Sequence, residues 1–154
     1  MDKIKFVDSP VSKQIAEWVK GCDHRRAAMW AAECAEHVLG CFEQRYPDDM
    51  RPRRAIEAGR AWARGELSMS AARAAAFAAH AAARDAVHSA ASAAARAAGH
   101  AAATAHVIGH AAHAATYAAK AVSSASRPAE AIDNTAAERL WQRQQLVQSP
   151  SSRR

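Results

Sequence analysis

Residues 98–122, AGHAAATAHVIGHAAHAATYAAKAV, set His100, His106, His110 and His113 in an alanine field almost free of charge. Imidazoles at helical spacing can ligate a metal, handle protons, or hydrogen-bond across closely packed helices. His106, His110 and His113 are separated by four and three residues and share one face if the helix there is continuous. A His-x3-His pair suits Zn2+ or another borderline cation through its ring nitrogens. Such a site needs further ligands, and this stretch offers no carboxylate and no thiol. Remote donors are Asp23, His24, Glu33, Cys34, His37, Cys41, His80 and His100. None reproduces the paired Glu-x-x-His of di-iron bundles. The reading preferred here makes the histidines structural polar groups that fix helix register. It assigns no metal and no other cofactor, and keeps a zinc-binding helical protein as the alternative.

Asp23-His24-Arg25 also has the residue types of acid–base chemistry. No nucleophile is tied to it by any motif, however, and Asp23 stands where a helix N-cap is expected. No catalytic residue is assigned. Arg53, Arg54, Arg60 and Arg64 form a basic surface, with Glu57 at helical spacing to bridge Arg53 and Arg60. Together with Asp23, His24 and Arg25 they are the candidate partner-binding residues. The stripe Glu33, Glu36 and Glu43 is a rival acidic patch.

These residues must be held by helices. Of the 154 residues, 50% count as hydrophobic, and most of those are alanine. Alanine has the best helix propensity and lets backbones approach closely. Large apolar side chains are few, so nearly all of them are expected in one core, each contributing roughly 1.5–3 kcal/mol. Ser9 or Ser12 starts a helix that ends near Gly21. Asp23 starts one of about six turns to Pro47, buried through Ala27, Trp30, Ala31, Cys34, Val38, Cys41 and Phe42. Pro52 opens a third, which Gly65 closes. Ser68 or Ser70 caps the next, up to about Val87.

One helix from Ser70 to Ala121 would be about 75 Å long. A domain of this size has a radius of gyration of only about 15 Å. The alanine field must therefore fold back, with breaks expected at His88–Ser92 and Thr104–Gly109, where Thr104 could cap a new helix. Pro128 starts a last helix carrying Ile132, Leu140, Trp141 and Leu146. The expectation is an all-α, compact, alanine-rich bundle of about six or seven helices in a single domain. Its bounds are an N-terminal arm at 1–10, the domain at 11–146 and a flexible tail at 147–154.

The formal charge of +6 is concentrated in residues 45–64 and partly neutralised there. A histone-like tail would be denser in cations. This distribution argues against nucleic acid, and a basic helical nucleic-acid-binding module is only the second alternative. No run has the ~18–20 strongly apolar residues of a membrane span. MDKIKFVDSP lacks the apolar stretch of a secretory leader. With three cysteines, an odd number, the expectation is a cytoplasmic protein with reduced thiols.

Five blocks occur in order: CDHRRAAMWAAECAEHVL (22–39), RPRRAIEAGRAWARGE (51–66), AARAAAFAAHAAARDA (71–86), AARAAGHAAATAHVIGHAAHAATYAAKAV (94–122) and AERLWQRQQL (137–146). They resemble immunity proteins of bacterial polymorphic-toxin systems, specifically the immunity-protein-five-like, all-α family. The resemblance spans roughly residues 15–146. Its distinctive parts are the first two blocks, which carry bulky and charged residues. It implies a cytoplasmic protein that binds and neutralises a cognate toxin, with no catalytic chemistry of its own. The protein is expected to act as a monomer or as a homodimer packed through alanine-rich faces.

Overall fold

A central alanine-rich helix organises the chain, as seen in a computed structural model that describes residues 5–148. Among the described residues there are eight α-helices and no strand. They are α1 (Val11–Lys20), α2 (His24–Val38), α3 (Gly40–Glu43), α4 (Arg51–Ala63), α5 (Met69–Asp85), α6 (Ser89–Ala103), α7 (His110–Ala125) and α8 (Ala131–Gln148). A short 3-10 turn, Pro128–Glu130, precedes α8. The all-α expectation holds. The count exceeds six or seven because the expected helix after Asp23 breaks at Leu39–Gly40, where glycine weakens a helix interior, leaving the single turn of α3.

The helix starts follow local chemistry. Asp23 Oδ2 accepts the Arg26 N–H at 3.1 Å, and Ser68 Oγ accepts the Ala71 N–H at 3.1 Å. Gly65, just after α4, has φ +78°, a conformation that only glycine adopts without strain. The alanine field breaks twice. The first break is at residues 86–88, slightly before the expected site. There the Val87 N–H donates to Tyr46 Oη at 2.9 Å and Ser92 Oγ donates to Ala83 O at 2.9 Å. The second is at residues 104–109, as expected. Thr104 ends α6 rather than capping α7: its hydroxyl donates back to His100 O at 2.9 Å, the competition that disfavours Thr within helices.

Helix α6 packs against α5, α7, α4, α2 and α3. Its Ala91, Ala94, Ala95, Ala97, Ala98, Ala101 and Ala102 are all 0% exposed and form a wide apolar arc, while Ser92, Arg96 and His100 stand half-buried on the remaining face. A β-carbon on Gly59 of α4 would lie 3.2 Å from Ala101 O, which measures how closely α4 crosses α6.

This closeness overturns one expectation. Ile15, Val19, Trp30, Val38, Leu39, Phe42, Ile56 and Leu146 are buried, but Trp18, Phe77, Val107, Ile132 and Leu140 stand outside. Helices separated by methyl groups leave no volume for large side chains between them, so those side chains move to outer faces. The correction is sharpest in α8. Ile132 and Leu140 are exposed, and the buried stripe is Ala131, Thr135, Glu138, Arg139, Gln142 and Leu146.

The segment before α1 is tied down by Asp8, which accepts from Arg139 Nε and Nη2 at 2.9 and 2.8 Å. Of the tail expected at 147–154, residues 149–154 lie outside the described residues. No helix among the described residues is long and apolar enough to cross a membrane.

Candidate functional site

The α6–α7 joint gathers imidazoles from three helices. His100 lies in the last turn of α6, and His110 and His113 lie in the first turn of α7. His100 Nδ1 and His110 Nδ1 are 2.9 Å apart, so one ring carries its proton there and the other presents a lone pair. One donor atom from each of His100, His110 and His113 lies within 4.8 Å of the others. His80, from α5, meets the His100 ring edge-on at 4.9 Å between centroids, and Tyr117 stacks on the same ring at 5.2 Å.

His106 does not join them. It sits in the 104–109 connection and is exposed, because the helix is not continuous from His106 to His113. The face expected from His106, His110 and His113 is replaced by His100, His110 and His113, which only the fold-back can assemble.

Arg96 Nη1 donates to His80 Nδ1 at 3.0 Å. Burial and the Arg96 cation hold His80 down to about 4. Burial, with the neighbouring histidines and Arg96, holds His100 down to about 3. Burial and His113 also lower His110. All three rings are therefore neutral at pH 7.

Asp23, His24 and Arg25 form a second node, where α2 meets the ends of α4 and α6. Asp23 caps α2. His24 Nε2–H donates to Thr104 O, and the ring tilts against Trp62 at 4.7 Å. Arg25 Nη1 donates to Trp62 O at 2.7 Å, with its guanidinium 4.9 Å from the Trp62 ring centroid. The three are placed by capping and packing, and each touches a different helix end.

Beside this node a cleft of about 350 Å³ opens between Asp23, Arg25, Trp30, Glu33 and Gln145. Burial raises the Glu33 carboxyl there. Arg26 donates to Cys22 Sγ at 3.2 Å and to Leu146 O. Its buried Nε has no partner among the described residues.

The basic and acidic patches are not rivals, because they meet. Arg53 holds Glu43 through two bonds of 2.8 Å, and Arg60 holds Glu36 at 2.9 and 3.2 Å. Glu57 does not bridge the arginines: they reach across to α2 and α3 instead of along α4. Bidentate geometry favours these pairs over an i, i+4 contact. Arg64 pairs with Glu66 at 2.9 Å. Arg54 is exposed, shows no ion pair among the described residues, and lines a groove with Arg45, Tyr46 and Arg51.

Sequence reasoning missed a polar seam beneath α8. Gln142 Nε2 donates to Ala115 O at 2.9 Å and Gln142 O accepts from Trp30 Nε1 at 2.9 Å. Glu138 meets His37 Nδ1 at 2.9 Å, and His37 stacks on Trp141 at 3.6 Å. The available signal was the i, i+3, i+4 spacing of Thr135, Glu138, Arg139 and Gln142, which a search for apolar stripes passes over.

Comparison with known protein families finds one described as "Imm-5 like putative immunity protein", matching residues 17–149. The chain belongs to that family. No curated protein and no solved structure shows a significant match. In this Imm-5-like protein the match takes in every element from late α1 to the end of α8. It includes the Asp23–Arg25 node, the α4 arginines and the histidine joint.

Proposed function

We propose that this Imm-5-like protein binds a cognate bacterial toxin in the cytoplasm and neutralises it by occlusion, without catalysis of its own. The observation that carries this reading is the family match across residues 17–149, which runs from late α1 to the end of α8.

We assign the contact surface to Arg53, Arg54 and Arg60 of α4 and Arg64 just after it, with Asp23, His24 and Arg25 beside them. Arg54 and Glu57 of α4 and Arg64 at its C-terminal end are exposed and lie within one face. Arg53 and Arg60 flank it, already held by Glu43 and Glu36. Side chains pinned before binding lose less freedom on binding. Arg54, exposed and with no ion pair among the described residues, contributes most to attraction. Such a surface suits an acidic patch on the toxin, where charge complementarity speeds encounter and rejects wrong partners.

The test is co-expression with the toxin encoded beside this gene. The protein should rescue the cell from that toxin and from few others. Killing by the neighbouring toxin despite excess protein sinks the reading. An Arg54→Glu/Arg64→Glu variant should keep its thermal stability and bind the toxin at least about tenfold more weakly. Unchanged affinity would move the contact surface elsewhere while leaving the toxin-binding role intact.

A further inference from the structure

The geometry points to a site for a late first-row divalent cation, Zn2+ foremost, held by His100, His110 and His113 across the α6–α7 joint. Ring nitrogens around a tetrahedral zinc at about 2.0–2.1 Å lie roughly 3.3 Å apart. The three donors here already lie within 4.8 Å of one another, and the His100 and His110 Nδ1 atoms are 2.9 Å apart. Small rotations of exposed or half-buried rings bring all three to one point.

The rest of the chain shows what a histidine used only for packing looks like. His24 donates to the Thr104 carbonyl, and His37 meets the Glu138 carboxylate. Among the described residues, no carbonyl or carboxylate takes a ring N–H from His100, His110 or His113. Among the described residues the ring nitrogens of His100 and His110 hydrogen-bond to each other, which puts one Nδ1 lone pair between the two rings.

His113 is exposed, which leaves the fourth position to water.

His80 is not the fourth ligand. Its Nδ1 lone pair accepts from Arg96, and its Cε1–Nε2 edge lies against Gly99. The Arg96 cation opposes any added positive charge. The all-imidazole donor set, which Ca2+ and Mg2+ bind poorly, selects ions with bonds to nitrogen strong enough to offset it. A bound ion would fasten the last turn of α6 to the first turn of α7 and span the 104–109 connection. This role is separate from toxin binding and would hold whatever the partner.

The test uses the full chain without an affinity tag, stripped with chelator and titrated with Zn2+ by calorimetry and with Co2+ by visible absorption. One equivalent of Zn2+ should bind and raise Tm, and Co2+ should give the intense visible bands of four-coordinate geometry. His113→Ala, at an exposed position that leaves the fold intact, should weaken binding by about 10–100-fold. His110→Ala should do the same, and His106→Ala should change nothing. Arg96→Gln should tighten binding. No saturable one-to-one binding overturns the proposal. So does equal loss in His106→Ala and His113→Ala, which would mean scattered surface histidines.

Discussion

The His80 ring lies where a side chain on Gly99 would have to be: a β-carbon there would come within 2.7 Å of Cε1 and Nε2. The ring cannot easily yield, because Arg96 donates to its Nδ1 and His100 packs against it edge-on. Two opposing terms act on Gly99→Ala. Glycine in a helix interior is worse than alanine by roughly 0.5–1 kcal/mol. Overpacking costs about 1–3 kcal/mol. The second should win, so Gly99→Ala lowers stability by about 1–2 kcal/mol in the native background. In a His80→Ala background the same change should raise stability by about 0.5–1 kcal/mol. Urea unfolding of the four proteins measures this coupling, and equal effects in both backgrounds would refute it.

Leu140 and Gln142 exchange the roles their side chains suggest. Leu140 is 47% exposed, whereas Gln142 is 0% exposed and bonds to Ala115 O and Arg139 Nη1. Leu140→Ala should cost less than about 1 kcal/mol, since much of its apolar area is already in water. Gln142→Ala should cost about 2–4 kcal/mol, because it opens a cavity and leaves a buried guanidinium N–H short of an acceptor. Chemical denaturation ranks the two directly. A larger loss from Leu140→Ala would mean that α8 is buried on its other face.

That reversal marks how far sequence could be read. Helix starts were legible because they depend on one residue and its near neighbours, as with Asp23, Ser68 and Pro52. The fold-back of the alanine field was legible from length, and its break at 104–109 from the dip in helix propensity there. The ring partners of His100 were not, because His80, His110 and His113 reach it only after two reversals of the chain. Nor could charge pattern show that Arg53 and Arg60 turn to Glu43 and Glu36. On α4 itself Glu57 is an equally good partner, and only the packing of α4 on α2 decides between them. The α8 seam was hidden for a different reason. Periodicity searches look for apolar stripes, and here the repeating buried residues are polar.

Acid should weaken the protein below about pH 4.5, the ordinary value for glutamate. Hydrogen bonds from Arg60, Arg53 and Arg51 hold Glu36, Glu43 and Asp49 below their usual range. Burial pushes Asp8 up, but the bonds and charge of Arg139 outweigh it, and the net shift is down. With a lower folded-state pKa, the unfolded chain takes up protons first as pH falls. The stability is therefore complete above the unfolded value and is lost as pH drops through the folded one. Glu33 acts in the opposite sense, since burial raises it. Because the Arg53–Glu43 pair is partly solvated, Glu43→Gln should cost only about 1 kcal/mol at neutral pH. The difference from native protein should shrink towards zero as pH falls from neutral through the lowered folded-state value of Glu43, where the native carboxylate is also protonated. A constant difference between these pH values would show that the ion pair contributes nothing.

Asp8 and Arg139 join residues 131 positions apart, with Arg139 only 1% exposed and also donating to Thr116 Oγ1 and Gln142 Oε1. Removing one partner of a buried pair leaves the other charge uncompensated. Asp8 keeps partial contact with water and Arg139 keeps two neutral acceptors, so Asp8→Ala should cost about 1–3 kcal/mol, short of the full 3–5 for an isolated buried pair. Adding Arg139→Met should recover part of that loss, because the guanidinium no longer needs a counter-charge. Hydrogen exchange supplies an independent readout. The Ser9 N–H, which donates to Asp8 Oδ1 at 2.8 Å, and the Val11 N–H, which donates to Ser9 Oγ at 3.2 Å, should lose protection in Asp8→Ala, while the α6 amides keep theirs. Unchanged stability together with unchanged exchange at residues 9–11 would show that the segment before α1 is held by something other than this pair.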